Sequence, residues 1–209
     1  MTKKILTIAG LAAVCMSTVV WAQSFTTVYD WMFSNGLTTM SETGFRPNDQ
    51  VTRGEISKFF TKFAEVKGLE KTKTASECQF NDVAGYDSTL VPTIIEACEY
   101  GLVKGSNGSY FPNKSLTEAE ALTVVVRSLL GFQDETGTPW WTEYYNAGKW
   151  LGILDNETLW GIDTPATRET VGTWLYRAAL VDPATIENQG SDELESILEE
   201  IFGDGTFSG

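Results

Sequence analysis

Two arginines, Arg53 and Arg168, each follow a threonine at the head of an apolar helical pattern, in the runs Thr52-Arg53-Gly54-Glu55 and Thr167-Arg168-Glu169-Thr170. A guanidinium offers a planar, permanently charged fork that matches a carboxylate, so the chemistry these residues suggest is recognition of an anionic group. The competing reading is local pairing at the start of a helix. Trp31, Trp140, Trp141 and Trp150 add flat apolar faces, which read first as core and second as platforms for sugar rings. Histidine is absent from the chain. A Ser-His-Asp or Cys-His nucleophile and a histidine-held zinc or haem therefore cannot be built from it. The 28 acids against 15 bases leave a net charge of -13, which opposes binding to a phosphate backbone.

The remaining acids read as structural. Glu55 and Glu120 stand three residues after Thr52 and Thr117, the spacing of a capping box. Asp155, Asn156, Glu157 and Asp163 lack the spacing of a calcium loop and read as a solvated turn. No metal, cofactor or catalytic residue is expected, and the chain reads as a non-enzyme.

The elements that position these residues follow from an internal register. Gly36-Leu37, Gly101-Leu102 and Gly152-Ile153 each end a stretch of helical character, and Thr52, Thr117 and Thr167 follow those glycines by 16, 16 and 15 residues. Ten residues past each threonine stands a base: Lys62, Arg127 and Arg177. Pro47 and Pro112 fall eleven residues after their glycines, and Pro165 falls thirteen after its own. Each unit is predicted as helix, turn-rich loop and helix. Glycine stops the first helix, and Thr52, Thr117 or Thr167 caps the second. Behind the caps, Ile56, Phe59, Phe60, Phe63 and Ala64 correspond to Ala121, Val124, Val125, Ser128 and Leu129, then to Val171, Trp174, Leu175, Ala178 and Ala179. Each second helix therefore buries one face, and three such faces are expected to share one core, with Phe60 and Trp174 inside it.

The first 22 residues read as a secretory signal peptide: Lys3 and Lys4, an apolar stretch over 5–20, and Ala22 as the small residue before cleavage. The alternative, a retained anchor, needs about 20 apolar residues. In an exported chain the remaining pair, Cys78 and Cys98, is expected to form a disulfide. Residues 182–209 carry eight acids and no base, with Leu194, Ile197, Leu198, Ile201 and Phe202 at helical spacing. This tail reads as a disordered acidic segment or as a short amphipathic helix that docks on a partner.

The run Phe80-Asn81-Asp82-Val83, the apolar Ile94-Ile95, GLVKGSNGSYFPN over 101–113 and LTEAEALTVVVRSLL over 116–130 resemble the surface-layer homology (SLH) domain. The family pattern is Phe-x-Asp-Val, a helix, a Gly-rich loop ending Gly-x-Phe-x-Pro, and Thr-Arg-Ala-Glu before an apolar helix. The resemblance implies a mostly α fold of three SLH-like repeats over 25–69, 78–132 and 132–181, packed as a pseudo-threefold prism around three central helices. It implies an exported cell-envelope protein that binds an anionic cell-wall or surface polysaccharide in grooves between repeats, through Arg53, Arg168, groove glycines and aromatic residues. The alternative is an envelope scaffold that binds a protein partner through the grooves and the C-terminal helix. The departures are informative. The first repeat's Phe-x-Asp-Val would fall within the signal peptide, Phe132-Gln133-Asp134 is a worn copy in the third, and Glu118 replaces arginine in the second.

Overall fold

The computed structural model describes residues 24–131, 133, 135–154, 164–183 and 186. The signal-peptide reading, Phe132 and Asp134, the Asp155–Asp163 cluster and the helical pattern of the acidic tail lie outside the described residues. Among the described residues the fold is mostly helical, with no extended strand. Six α-helices are bounded within the described residues: α1 (Phe25–Ser34), α2 (Arg53–Lys67), α3 (Val91–Glu99), α4 (Glu118–Leu130), α5 (Thr142–Trp150) and α6 (Arg168–Leu180).

Local chemistry sets their ends. Gly36, Gly101 and Gly152 all adopt positive φ, between 69° and 74°, and the amide of the aliphatic residue after each returns to a carbonyl five residues back. Those aliphatic residues, Leu37, Leu102 and Ile153, are then buried. No atom crowds Gly36 or Gly152, so glycine is needed there for its backbone freedom, not for its size. At the other end, Thr52 and Thr117 form complete capping boxes with Glu55 and Glu120. Thr167 accepts the Thr170 amide without the reciprocal acid.

Three backbone segments join in a closed ring just before α2, α4 and α6. The Val51 amide donates to the Ala166 carbonyl at 3.1 Å, Ala166 to Leu116 at 2.9 Å, and Leu116 to Val51 at 2.9 Å. A second set runs outside it, from Arg53 to Lys114, from Glu118 to Thr164 and from Arg168 to Asp49. The buried faces of α2, α4 and α6 meet below this ring, with Phe60, Phe63, Val125, Leu175 and Ala178 almost fully enclosed. Leu129 and Ala179, expected on that face, are only half-buried.

The other helices pack in an exchanged order. α3 lies against α2, α5 against α4 and α1 against α6, so α3 and α5 each rest on the core helix just before them in the chain and α1 closes the circle on the last one. Small residues permit the close approach. A Cβ on Gly172 of α6 would come 2.5 Å from the Met32 sulfur of α1, and one on Gly148 of α5 would come 2.9 Å from Leu122 of α4. Between α2 and α3, Ser57 and Thr93 share a hydrogen bond instead. The Cys78–Cys98 disulfide expected from the sequence is present, with Cα atoms 5.7 Å apart, and ties the segment before Phe80 to α3.

Candidate functional site

The site grows from one loop. In Phe80-Asn81-Asp82-Val83 the Asp82 carboxylate accepts the amide of Tyr110 at 2.8 Å and that of Phe111 at 2.7 Å. Phe111 sits at φ 59°, and the turned backbone points both amides at one place, where an anion is favoured. Gly105 closes the same loop, since a Cβ there would lie 2.4 Å from the Ser109 carbonyl. The clamp turns Tyr110 inward, where it is buried and its phenol is pushed above the ordinary range by desolvation. It leaves Phe111 outward and about half exposed.

Arg53, at the start of α2, lies over the Tyr110 ring and is almost fully engaged. Its Nε donates to the Tyr110 carbonyl at 2.9 Å, one terminal nitrogen to the Lys104 carbonyl at 3.0 Å and the other to Glu120 at 3.3 Å. Burial pushes the Glu120 carboxyl up, but the Thr117 amide, Lys114 and Arg53 outweigh it and hold the group below its usual range. Arg127 of α4, buried over the Tyr144 ring, contacts the Tyr144 hydroxyl and Glu135, and Lys104 contacts Glu135 from the other side. Burial raises the Glu135 pKa less than Lys104, Arg127 and Tyr144 lower it, so the net displacement is downward.

These groups line a cavity of about 330 Å³. Arg53 and Lys114 pair with Glu120, and Lys104 and Arg127 with Glu135, so the lining carries a surplus of two positive charges in a chain whose net charge is -13. Tyr110, Phe111 and Trp140 supply aromatic wall. A concave, cationic and partly aromatic space suits a small anionic group carried on an apolar frame. Among the described residues no cluster of His, Cys, Asp or Glu is arranged to hold a metal ion, and no helix is long and apolar enough to cross a membrane.

The other residues singled out in the sequence fall elsewhere. Arg168 is as buried as a core residue and is occupied by Asp49 at 3.2 Å, by the Arg46 carbonyl and, at 3.8 Å, by Glu55. The capping-box acids of α2 and α4 thus serve twice: Glu120 caps Thr117 and meets Arg53, while Glu55 caps Thr52 and meets Arg168. The same register pairs position 118 with position 170, where an acid at 118 in place of arginine coincides with threonine in place of the acid. Glu118 keeps one carboxylate oxygen buried with no hydrogen-bond partner, and burial raises its pKa. Trp140 lines the cavity. Trp31 packs edge-on against Phe63 and Tyr176, Trp141 against Tyr145, and Trp150 against the core.

Sequence reasoning did not single out Lys104, Lys114, Phe111 or Glu135 for a site, and it noted Arg127 only as a base in register. The one signal was the placement of Lys104 and Lys114 in one loop of an otherwise acidic chain. A scan of the chain against models of known protein families finds no match, and a search of curated proteins finds none either.

Proposed function

We propose that this chain is an exported, non-enzymatic cell-envelope protein whose three SLH-like repeats, over 25–69, 78–132 and 132–181, form a pseudo-threefold prism and bind an anionic envelope polysaccharide. The observation that carries the reading is the cavity beside Arg53, where four cationic side chains and the two carboxylates they pair with leave a surplus of two positive charges in a strongly acidic protein. The cyclic backbone hydrogen bonds through Val51, Leu116 and Ala166 support the threefold arrangement, because three equivalent segments exchange equivalent bonds. Arg168 is buried and paired with Asp49 and Glu55, whereas Arg53 lines the cavity, so binding is assigned to the Arg53 side.

The test is co-sedimentation of the exported chain with purified envelope, intact or stripped of carbohydrate, at low and high salt. Binding that needs the carbohydrate and weakens with salt is the expected result. Binding that survives stripping and is lost on removal of residues 182–209 would move the function to a protein partner.

A further inference from the structure

Three residues before the helix-ending glycines stand Phe33, Cys98 and Lys149, and four residues after the first two glycines stand Met40 and Gly105. On α3 both places are covered by the chain that leaves α2. Lys71 pairs with Glu96 and Glu99, and the Thr72 and Lys73 amides donate to the Glu99 carbonyl at 2.8 and 3.0 Å. Cys78 then bridges Cys98, and the Phe80 ring lies on Gly105, where a Cβ would come 2.7 Å from it. On α5 the corresponding residue is Lys149, which is exposed and suited to water. On α1 it is Phe33, half exposed, with Met40 also exposed. Tyr29 joins these two into one apolar patch, since its ring stacks on Phe33 at 6.0 Å and its hydroxyl donates to the Met40 carbonyl at 2.8 Å.

α6 stands on α1 as α2 stands on α3. Gly172 and Ser57, each five residues after a capping threonine, face Val28 and Thr93, each eight residues before a helix-ending glycine. The chain leaving α6 therefore starts beside α1, as the strap over α3 starts beside α3. Twenty-six residues after Thr52 comes Cys78, and twenty-six after Thr167 comes Glu193, directly before the apolar set Leu194, Ile197, Leu198, Ile201 and Phe202. The counterparts of the Lys71–Glu96 ion pair are Ile186 and Trp31, so both members change from charged to half-buried apolar together. We propose that the segment 191–203 folds back over the end of α1 and lays its apolar residues on Phe33 and Met40, the service that residues 71–80 perform for α3. The inference stands on the internal register and is independent of the glycan reading.

The experiment is nuclear magnetic resonance of the full chain, with isotope-labelled and unlabelled molecules mixed to separate contacts within a molecule from contacts between molecules. Nuclear Overhauser effects from the Phe33 ring or the Met40 methyl to the methyls of Leu194, Ile197, Leu198 or Ile201 within one molecule are the expected result. In thermal melts, Phe33→Ser and Leu198→Ser should each lower the midpoint by about 2–4 °C, and the double variant should fall little below the lower single one, because both remove the same contact. Val66→Ser, which alters an exposed apolar residue of α2, should add to Leu198→Ser in full. Contacts between molecules would make the patch an interface between copies and overturn the proposal. Contacts from residues 1–23 to Phe33, coupling of Leu198 to Val66 instead of Phe33, or no contact from the tail to α1 would overturn it equally.

Discussion

Arg53 and Tyr110 hold each other by exchanged hydrogen bonds. The arginine Nε donates to the tyrosine carbonyl and the tyrosine hydroxyl donates to the arginine carbonyl, each at 2.9 Å, with the guanidinium 4.8 Å from the ring centroid. Each side chain uses the other residue's backbone, so neither truncation removes the other's bond. Arg53→Ala should cost about 2–3 kcal/mol and Tyr110→Phe about 1 kcal/mol. The double variant should be additive within about 0.5 kcal/mol. Urea unfolding midpoints of the four proteins check this, and a coupling well above that limit would contradict the exchange of backbone bonds. Because Arg53→Ala also loosens the fold, its effect on binding is a poor measure of ligand contact.

Lys104 and Lys114 are better reporters of the cavity. Their partners are the carboxylates Glu135 and Glu120, and about half of each lysine side chain faces water. Lys104→Ala and Lys114→Ala should each weaken binding of envelope polysaccharide about two- to fivefold, with stability unchanged within about 0.5 kcal/mol. Raising the salt concentration should shrink the difference between variants and wild type. Affinities at two ionic strengths, with melting curves alongside, decide it.

The Cys78–Cys98 bridge closes a loop between positions 20 apart in sequence. On the chain-entropy model, a loop of that size stabilises the folded state by ~3 kcal/mol. Replacing both cysteines with serine should lower the free energy of unfolding by about that amount. Alkylation and mass measurement of the purified protein should find neither Cys78 nor Cys98 free.

Glu118 should make the protein less stable as its carboxyl ionises. Burial raises its folded-state pKa above the ordinary carboxylate value. The folded form therefore holds its proton more tightly. The penalty is absent below the unfolded pKa, grows as pH rises through the interval and is complete above the folded value. Glu118→Gln should stabilise the chain at neutral pH by about 0.5–1 kcal/mol, the partial exposure limiting the gain, and by nothing well below the carboxylate range. Glu120 and Glu135 carry the opposite sign. Their pKa values are lowered, so their stabilisation is present above the unfolded value and is lost as pH falls through the folded one. Thermal melts of wild type and variant across the acid range separate the two behaviours.

Features confined to one or two turns of chain are legible in the amino-acid sequence by itself. Gly36, Gly101 and Gly152 end helices because a left-handed residue is needed at a fixed place after the last turn, and that need shows in the residue type. Thr52 and Thr117 announce helix starts because the capping exchange with Glu55 and Glu120 spans three residues. The cysteine pair is legible through the export expectation, which leaves two of the three cysteines to bridge. Apolar spacing shows which face of α2, α4 and α6 is buried, and Phe60 and Trp174 are in the core.

Periodicity names a buried face but not what covers it, and that is where tertiary structure decided. α3 packs on α2 and α5 on α4, each on the core helix just before it, while α1 packs on α6 at the other end of the repeat region, a closure invisible in any single segment. Arg53 and Arg168 stand out in the sequence as equivalent arginines. The acceptors that separate them lie far along the chain, Tyr110 and Glu120 for one and Arg46 and Asp49 for the other. Their unequal surroundings, a cavity beside Arg53 and two acids on Arg168, exist only once the ring through Val51, Leu116 and Ala166 has closed, because a guanidinium bonds whichever carbonyls and carboxylates the fold delivers to it.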